Sequence, residues 1–309
     1  MSTLLVLEQL LNGLQFGVML FLMAAGLTLV FGIMGMINLA HGSLYMVGAY
    51  ICATVYQLTG SFWPALAATL CGTALVGMAV EMVALRTLYS RDHLDQVLAT
   101  FGLILFFNEL TKIIWGPRAL FLDVPAALAG SVQIMPGVDY PLYRLAIIVV
   151  GILVAFGMYW LIIHTRMGMM IRASASNREI IGALGVNVPL LYTLVFGLGA
   201  MLAGLAGAMA GPVWSVEVGM GENILILTFV VIVIGGIGSV RGALLGSCLV
   251  GFIDTIGRAF LPVSLGLFMD PATANGVGAS LASMSIYIFM AAILVWRPQG
   301  LLPVHSRYQ

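Results

Sequence analysis

Apolar residues fill this chain in runs of about the 20 positions that a helix needs to cross a bilayer, and short stretches rich in glycine, proline and charge separate them. The runs predict helices over Leu10–Phe31, Ser43–Leu58, Phe62–Leu85, Gln96–Trp115, Leu142–Ile163, Pro189–Gly211, Asn223–Gly235, Ala243–Leu261 and Leu281–Trp296. The second and seventh are short. Either they are discontinuous helices that dip to mid-membrane, or their boundaries are displaced by a few residues. The expected fold class is all-α, a polytopic helical membrane protein of about 8–9 transmembrane helices with two glycine-interrupted segments. A single transmembrane domain over residues 1–309 accounts for the chain, because no long polar segment supplies a second one.

The first interruption is Phe31-Gly32-Ile33-Met34-Gly35-Met36-Ile37-Asn38-Leu39-Ala40-His41-Gly42. Lipid cannot satisfy the backbone, amide and imidazole groups of such a break, so it must be covered by protein or face water. An echo lies 200 residues on: Gly35, Ile37, Gly42 and Leu44 recur as Gly235, Ile237, Gly242 and Leu244, with His41 opposite Arg241. Paired interruptions of this kind point to two repeat halves, about 10–115 and 142–297, with a binding site or pathway between them.

Small residues set the expected packing. Gly199, Ala203, Gly207 and Gly211 recur every fourth position beside Ala200, Gly204 and Ala208, which makes a smooth helical face for a close neighbour. Gly242 and Gly246 continue the pattern in the second half. Ionisable residues within the apolar runs are Glu81, Glu109 and Asp254, each with a base close by: Arg86, Lys112 and Arg258. Local pairing favours a structural role, and a proton relay in a proton-coupled carrier of small polar solutes is the alternative.

Composition narrows the function. With 61% hydrophobic and 8% charged residues, the chain cannot cover a soluble domain of this size. Zero net charge and scattered basic residues leave no footprint for nucleic acid. Cys52, Cys71 and Cys248 lie in apolar runs without metal-ligand spacing, and His41, His93, His164 and His305 are too dispersed for a metal cage. No HExxH or GxSxG occurs, so no enzyme is expected. Lys112 is the only lysine and lies in Glu-Leu-Thr-Lys-Ile-Ile, which excludes a GxxxxGK[ST] phosphate loop; if ATP drives the protein, a partner hydrolyses it. No TVGYG filter is present.

Residues 1–11 lack the charged start of a secretory signal, so the first helix is expected in the mature protein. With the C-terminus in the cytoplasm, the inner loops carry Arg86, Arg91, Arg166, Arg172, Arg178, Arg241, Arg297 and Arg307, against Lys112, Arg118, Arg144 and Arg258 outside. Nine crossings then place the N-terminus outside; eight with one re-entrant segment place it inside. The longest inward loop, His164 to Asn187, predicts a short helix over Met170–Leu184 that stops at Gly185 and lies across the cytoplasmic face as a docking element.

The chain resembles the LivH-type permease subunits of branched-chain amino acid ABC importers. The likeness rests on Gly32 through Gly42 with its Asn-Leu-Ala-His-Gly, on Arg166-Met167-Gly168 with Arg172-Ala173 and Gly185-Val186-Asn187, on Gly235-Gly236-Ile237-Gly238-Ser239 with Gly242, and on Arg297-Pro298-Gln299-Gly300-Leu301. The resemblance covers Leu10 to Leu302. It implies a multi-pass protein of the bacterial inner membrane that works with a second, LivM-type permease, two cytoplasmic ATPase subunits and a periplasmic substrate-binding protein. No cofactor is implied in this chain, since ATP and Mg are bound by the ATPases. Relatives of this group carry branched-chain and other amino acids, urea, short amides or aromatic acids.

Within that machine, Asn38, His41 and Ser43 of the first break and Gly235, Gly236, Gly238 and Ser239 of the second are the candidates for the translocation pathway. A thin polar lining with half-helix ends tolerates a zwitterion without trapping it. Arg166, Arg172, Arg178, Glu179 and Gly185 are the candidates for coupling to an ATPase.

Overall fold

The computed structural model describes residues 3–135 and 138–303. Expectations placed on His305 and Arg307 lie outside the described residues. The helices are α1 (Thr3–Met34), α2 (His41–Thr59), α3 (Phe62–Val83), α4 (His93–Trp115), α5 (Leu142–His164), α6 (Arg166–Ser176), α7 (Arg178–Ala183), α8 (Val188–Ala210), α9 (Met220–Gly235), α10 (Val240–Leu265) and α11 (Pro271–Trp296). Between α4 and α5, strands β1 (Ser131–Met135) and β2 (Val138–Pro141) form an antiparallel hairpin. Seven of the helices are long and apolar enough to cross a membrane: α1, α3, α4, α5, α8, α10 and α11. The fold is therefore a polytopic all-α membrane protein.

Every predicted run is helical, and the differences lie at the ends. The last helix begins at Pro271, well before the expected Leu281, because Asp270 caps it: its Oδ2 accepts the Thr273 N–H at 2.9 Å and proline opens the first turn. The hairpin was not expected, since Gly, Pro and Asp break up its short alternation. In place of one helix over Met170–Leu184 there are two, because Asn177 leaves helical geometry and its Oδ1 accepts the N–H groups of Glu179 and Ile180, each at 3.0 Å.

The most enclosed helix is α1, which lies along α10 on one side and α8 on the other. The small-residue face of α8 makes this possible. Gly199 meets Gly26 of α1, Gly204 meets Gly48 of α2 and Thr73 of α3, and Gly207 lies on the Tyr45 carbonyl of α2. Backbones can approach so closely only where side chains are small. First-half and second-half helices thus interleave in one body.

Helix directions follow from pairs of contacts. Tyr192 donates to the Ile33 carbonyl at 3.4 Å while Gly199 lies at Gly26, so α8 runs antiparallel to α1. Thr193 donates to Glu81 at 2.6 Å while Ala200 lies at Gly77, so α3 also runs antiparallel to α8. At the same end Arg241 covers the Tyr159 ring at 5.0 Å, and the Leu301 N–H bonds the Ile234 carbonyl at 2.9 Å. One end of the bundle therefore gathers Arg86, Arg91, Arg166, Arg172, Arg178, Arg241 and Arg297.

The three carboxylates that the sequence places within the apolar runs are paired with the expected bases. Glu81, fully buried, accepts Arg86 Nη2 at 3.1 Å, Tyr89 at 2.9 Å and Thr193. Glu109 meets Lys112 at 2.6 Å. Asp254 meets Arg258 at 2.8 Å, and Arg258 also donates to Ser283.

Candidate functional site

The chain turns at Gly35, whose φ of +63° needs glycine, and then folds back along α1 rather than leaving the bundle. His41, the first residue of α2, brings its Nε2 to 3.0 Å from where a Cβ on Gly26 would stand. Gly26 lies eight residues before the end of α1, about 12 Å along its axis. So α2 starts inside the membrane layer. Its counterpart α9 has 16 residues and reaches about 24 Å, short of the roughly 30 Å apolar layer. Both expected boundaries are displaced by a few residues: α2 starts at His41 rather than Ser43 and has 19 residues, and α9 starts at Met220 rather than Asn223.

Their N-termini meet. A Cβ on Gly42 would fall on the Gly221 carbonyl oxygen, and a Cβ on Gly221 would fall on the Gly42 carbonyl oxygen. Neither helix has a side-chain cap. The backbone satisfies part of each first turn: His41 and Ser43 donate to the Asn38 and Ala40 carbonyls, and Met220 and Glu222 to those of Glu217 and Gly219, so what converges at depth is chiefly the positive end of two helix dipoles.

Around this junction the first-break residues are concentrated. Asn38 is fully buried; its Oδ1 accepts the Ala40 N–H at 3.0 Å and its Nδ2 has no partner. His41 is fully buried and reaches toward the Met23 backbone, but neither ring nitrogen completes a hydrogen bond. Ser43, 4% exposed, lines a narrow crevice between α2, α4 and α9, and its hydroxyl has no partner among the described residues. Across the crevice Asn108 of α4 donates its Nδ2 to Glu222 of α9. The crevice is pinched shut, with essentially no room for a water molecule.

Asn108 and Glu222 escaped the sequence reading. The seventh helix was expected to start at Asn223, which left Glu222 in a loop; an acidic residue opening a helix was the signal available.

The second break lies elsewhere. Gly235, Gly236, Gly238 and Ser239 occupy the arginine-rich end, where Leu302 N–H bonds the Gly235 carbonyl at 2.9 Å and the C-terminal segment covers Gly236. Ser239 Oγ accepts the Gly242 N–H at 3.0 Å and caps α10. The two breaks share a direction, each joining a helix that arrives at this end to one that leaves it, and Gly238 touches Gly32. Only the first plunges to the crevice.

At the same end, Thr165 caps α6 by accepting the Gly168 N–H at 3.0 Å, and Gly185 closes α7 with φ +88°. Arg166, Arg172, Arg178 and Glu179 are exposed there beside exposed Met169, Ile180 and Leu184. Apolar and charged groups side by side on short exposed helices make a surface suited to a protein partner.

Residues 9–295 match the family model described as branched-chain amino acid transport system / permease component. The high-affinity branched-chain amino acid transport system permease protein BraD of Pseudomonas aeruginosa is 31% identical over 310 residues, covering 96% of this chain and 95% of that protein. The corresponding permease protein LivH of Escherichia coli K12 is 29% identical over 269 residues, with 82% and 87% covered. The ribose import permease protein RbsC of Escherichia coli K12 is 25% identical over 244 residues, with 75% and 72% covered. No solved structure matches this chain. A match over nearly its whole length, on a bundle with two helix ends meeting at its centre, places the chain in the family of branched-chain amino acid transport permease components.

Proposed function

We propose that this chain is the pathway-forming permease subunit of an ATP-driven importer of branched-chain or related amino acids in a bacterial inner membrane. The observation that carries the reading is the family match over residues 9–295. The relatives' names supply the cargo class. The junction of α2 and α9 supports a pathway, since it sets polar groups and helix ends where lipid would leave them unsatisfied. Asn38, His41 and Ser43 line its approach, and Gly235, Gly236, Gly238 and Ser239 belong to the inner end of the same pathway, where Ser239 caps α10.

The chain has no phosphate loop, so ATP and Mg belong to two cytoplasmic ATPases, docked through α6 and α7 by Arg166, Arg172, Arg178, Glu179 and the Gly185 turn. A LivM-type second permease completes the pore, and a periplasmic binding protein selects the cargo. The arginine-rich end faces the cytoplasm and the start of α1 faces outward. Pairing of Glu81, Glu109 and Asp254 disfavours a proton-coupled carrier. Affinity capture of the tagged chain, followed by uptake of radiolabelled leucine into proteoliposomes, tests the reading. A co-purifying ATPase and ATP-dependent uptake are expected; uptake by the chain alone, driven by a proton gradient, would overturn it.

A further inference from the structure

The crevice between α2, α4 and α9 combines three kinds of chemistry in one place. Ser43 supplies a hydroxyl with no partner, more than nine-tenths buried and lining the space. The start of α2 supplies a positive helix end without a side-chain cap, although the His41 and Ser43 N–H groups are already bonded to the Asn38 and Ala40 carbonyls. Opposite them Glu222 supplies a carboxylate whose hydrogen bond comes from the neutral side chain of Asn108. Leu39, Met46, Ile104 and Leu225 make the rest of the wall apolar.

We infer that this crevice is a transient binding site for a zwitterionic amino acid with a branched apolar side chain. The ligand's carboxylate takes the Ser43 hydroxyl at the positive end of α2, its ammonium takes Glu222, and its side chain lies on the apolar wall. The inference rests on the function proposed above and deepens it by giving the cargo a place within the permease. Opposite polarities on facing walls match a zwitterion and mismatch a neutral sugar or an acid lacking an amine. Because the crevice is closed, a wall must move to admit the ligand. That wall is α4: its lining residues are Ile104 and Asn108, and Asn108 is the latch that occupies Glu222.

Saturation-transfer NMR on the full chain in lipid nanodiscs tests this with three probes: L-leucine, 4-methylpentanoate, which lacks the ammonium, and 3-methylbutylamine, which lacks the carboxylate. Leucine should bind, and each truncated probe should bind about tenfold more weakly, the loss of one hydrogen bond to a charged group. Asn108→Ala should strengthen leucine binding several-fold by freeing Glu222. Ser43→Ala should weaken leucine about tenfold. Glu222→Gln should erase the preference for leucine over 4-methylpentanoate, and Glu222→Asp should retain it. Variants are compared only after their melting temperatures match that of the parent chain. No leucine signal in either the parent or Asn108→Ala, or equal binding of all three probes, would overturn the site. If ATP-driven uptake is seen while the probes do not discriminate, the site falls and the importer stands. If the probes discriminate and no ATPase is captured, the importer reading falls and the site stands.

Discussion

Gly42 and Gly221 touch backbone to backbone at the N-terminal ends of two helices that both begin inside the membrane layer. Neither tolerates a Cβ, because the atom would land on the other's carbonyl oxygen rather than on a movable side chain. Gly221→Ala should force α2 and α9 apart, destabilise the protein by about 1–3 kcal/mol and sharply reduce transport. Gly276→Ala on α11, where a Cβ meets open space, is the matched control and should leave both unchanged. Thermal melting in detergent with uptake assays reads this, and a Gly221→Ala protein as stable and active as the control would show that the helix ends need not be so close.

The break itself is tested at Asn38. Its Oδ1 holds the Ala40 N–H and so shapes the turn into α2, while its buried Nδ2 remains unpartnered. Asn38→Leu removes both groups and favours a continuous helix, so transport should drop sharply while membrane expression persists. Ser239→Ala removes a helix cap at the inner end, a loss of about 1 kcal/mol, and should affect stability more than transport. Equal loss of transport in both variants would instead join the two breaks in one pathway; normal uptake in both would make them packing devices.

The helices were legible because apolar runs long enough to span have few other uses. The small-residue face of α8 was legible for a similar reason, since glycine and alanine at four-residue spacing leave a groove that α1, α2 and α3 fill. Depth was not legible. The two interruptions look alike in sequence, and which of them enters the bundle depends on the path of Met36–Ala40 along α1 and on the C-terminal segment over Gly236. Nor could residue spacing reveal that Asn108 and Glu222, over a hundred positions apart, share a hydrogen bond. Local pairs such as Asp254 with Arg258 were accessible because four residues make one helical turn.

Sidedness has a direct test. Ser176 is exposed at the end of α6, at the arginine-rich end of the bundle. A Ser176→Cys variant in a background without Cys52, Cys71 and Cys248 should react with an impermeant thiol reagent in inverted vesicles and not in intact cells. Labelling in intact cells would reverse the orientation.

Coupling to an ATPase should depend on α7 through two different forces. Arg178 and Glu179 are exposed and charged, and Ile180 and Leu184 are 58% and 77% exposed although apolar. In water, apolar side chains so exposed gain by docking; burying one is worth about 1.5–3 kcal/mol, which exceeds the typical return from a single rim charge. Leu184→Ser should therefore weaken ATPase capture by roughly tenfold or more, while Arg178→Ala and Glu179→Ala have smaller effects that fade as salt is raised. Uptake and transport-stimulated ATP hydrolysis should fall together in proportion to the lost capture, with insertion of the permease unchanged. Were stimulation unaltered in all three variants, α7 would be a connector and the docking surface would have to lie on another part of this end.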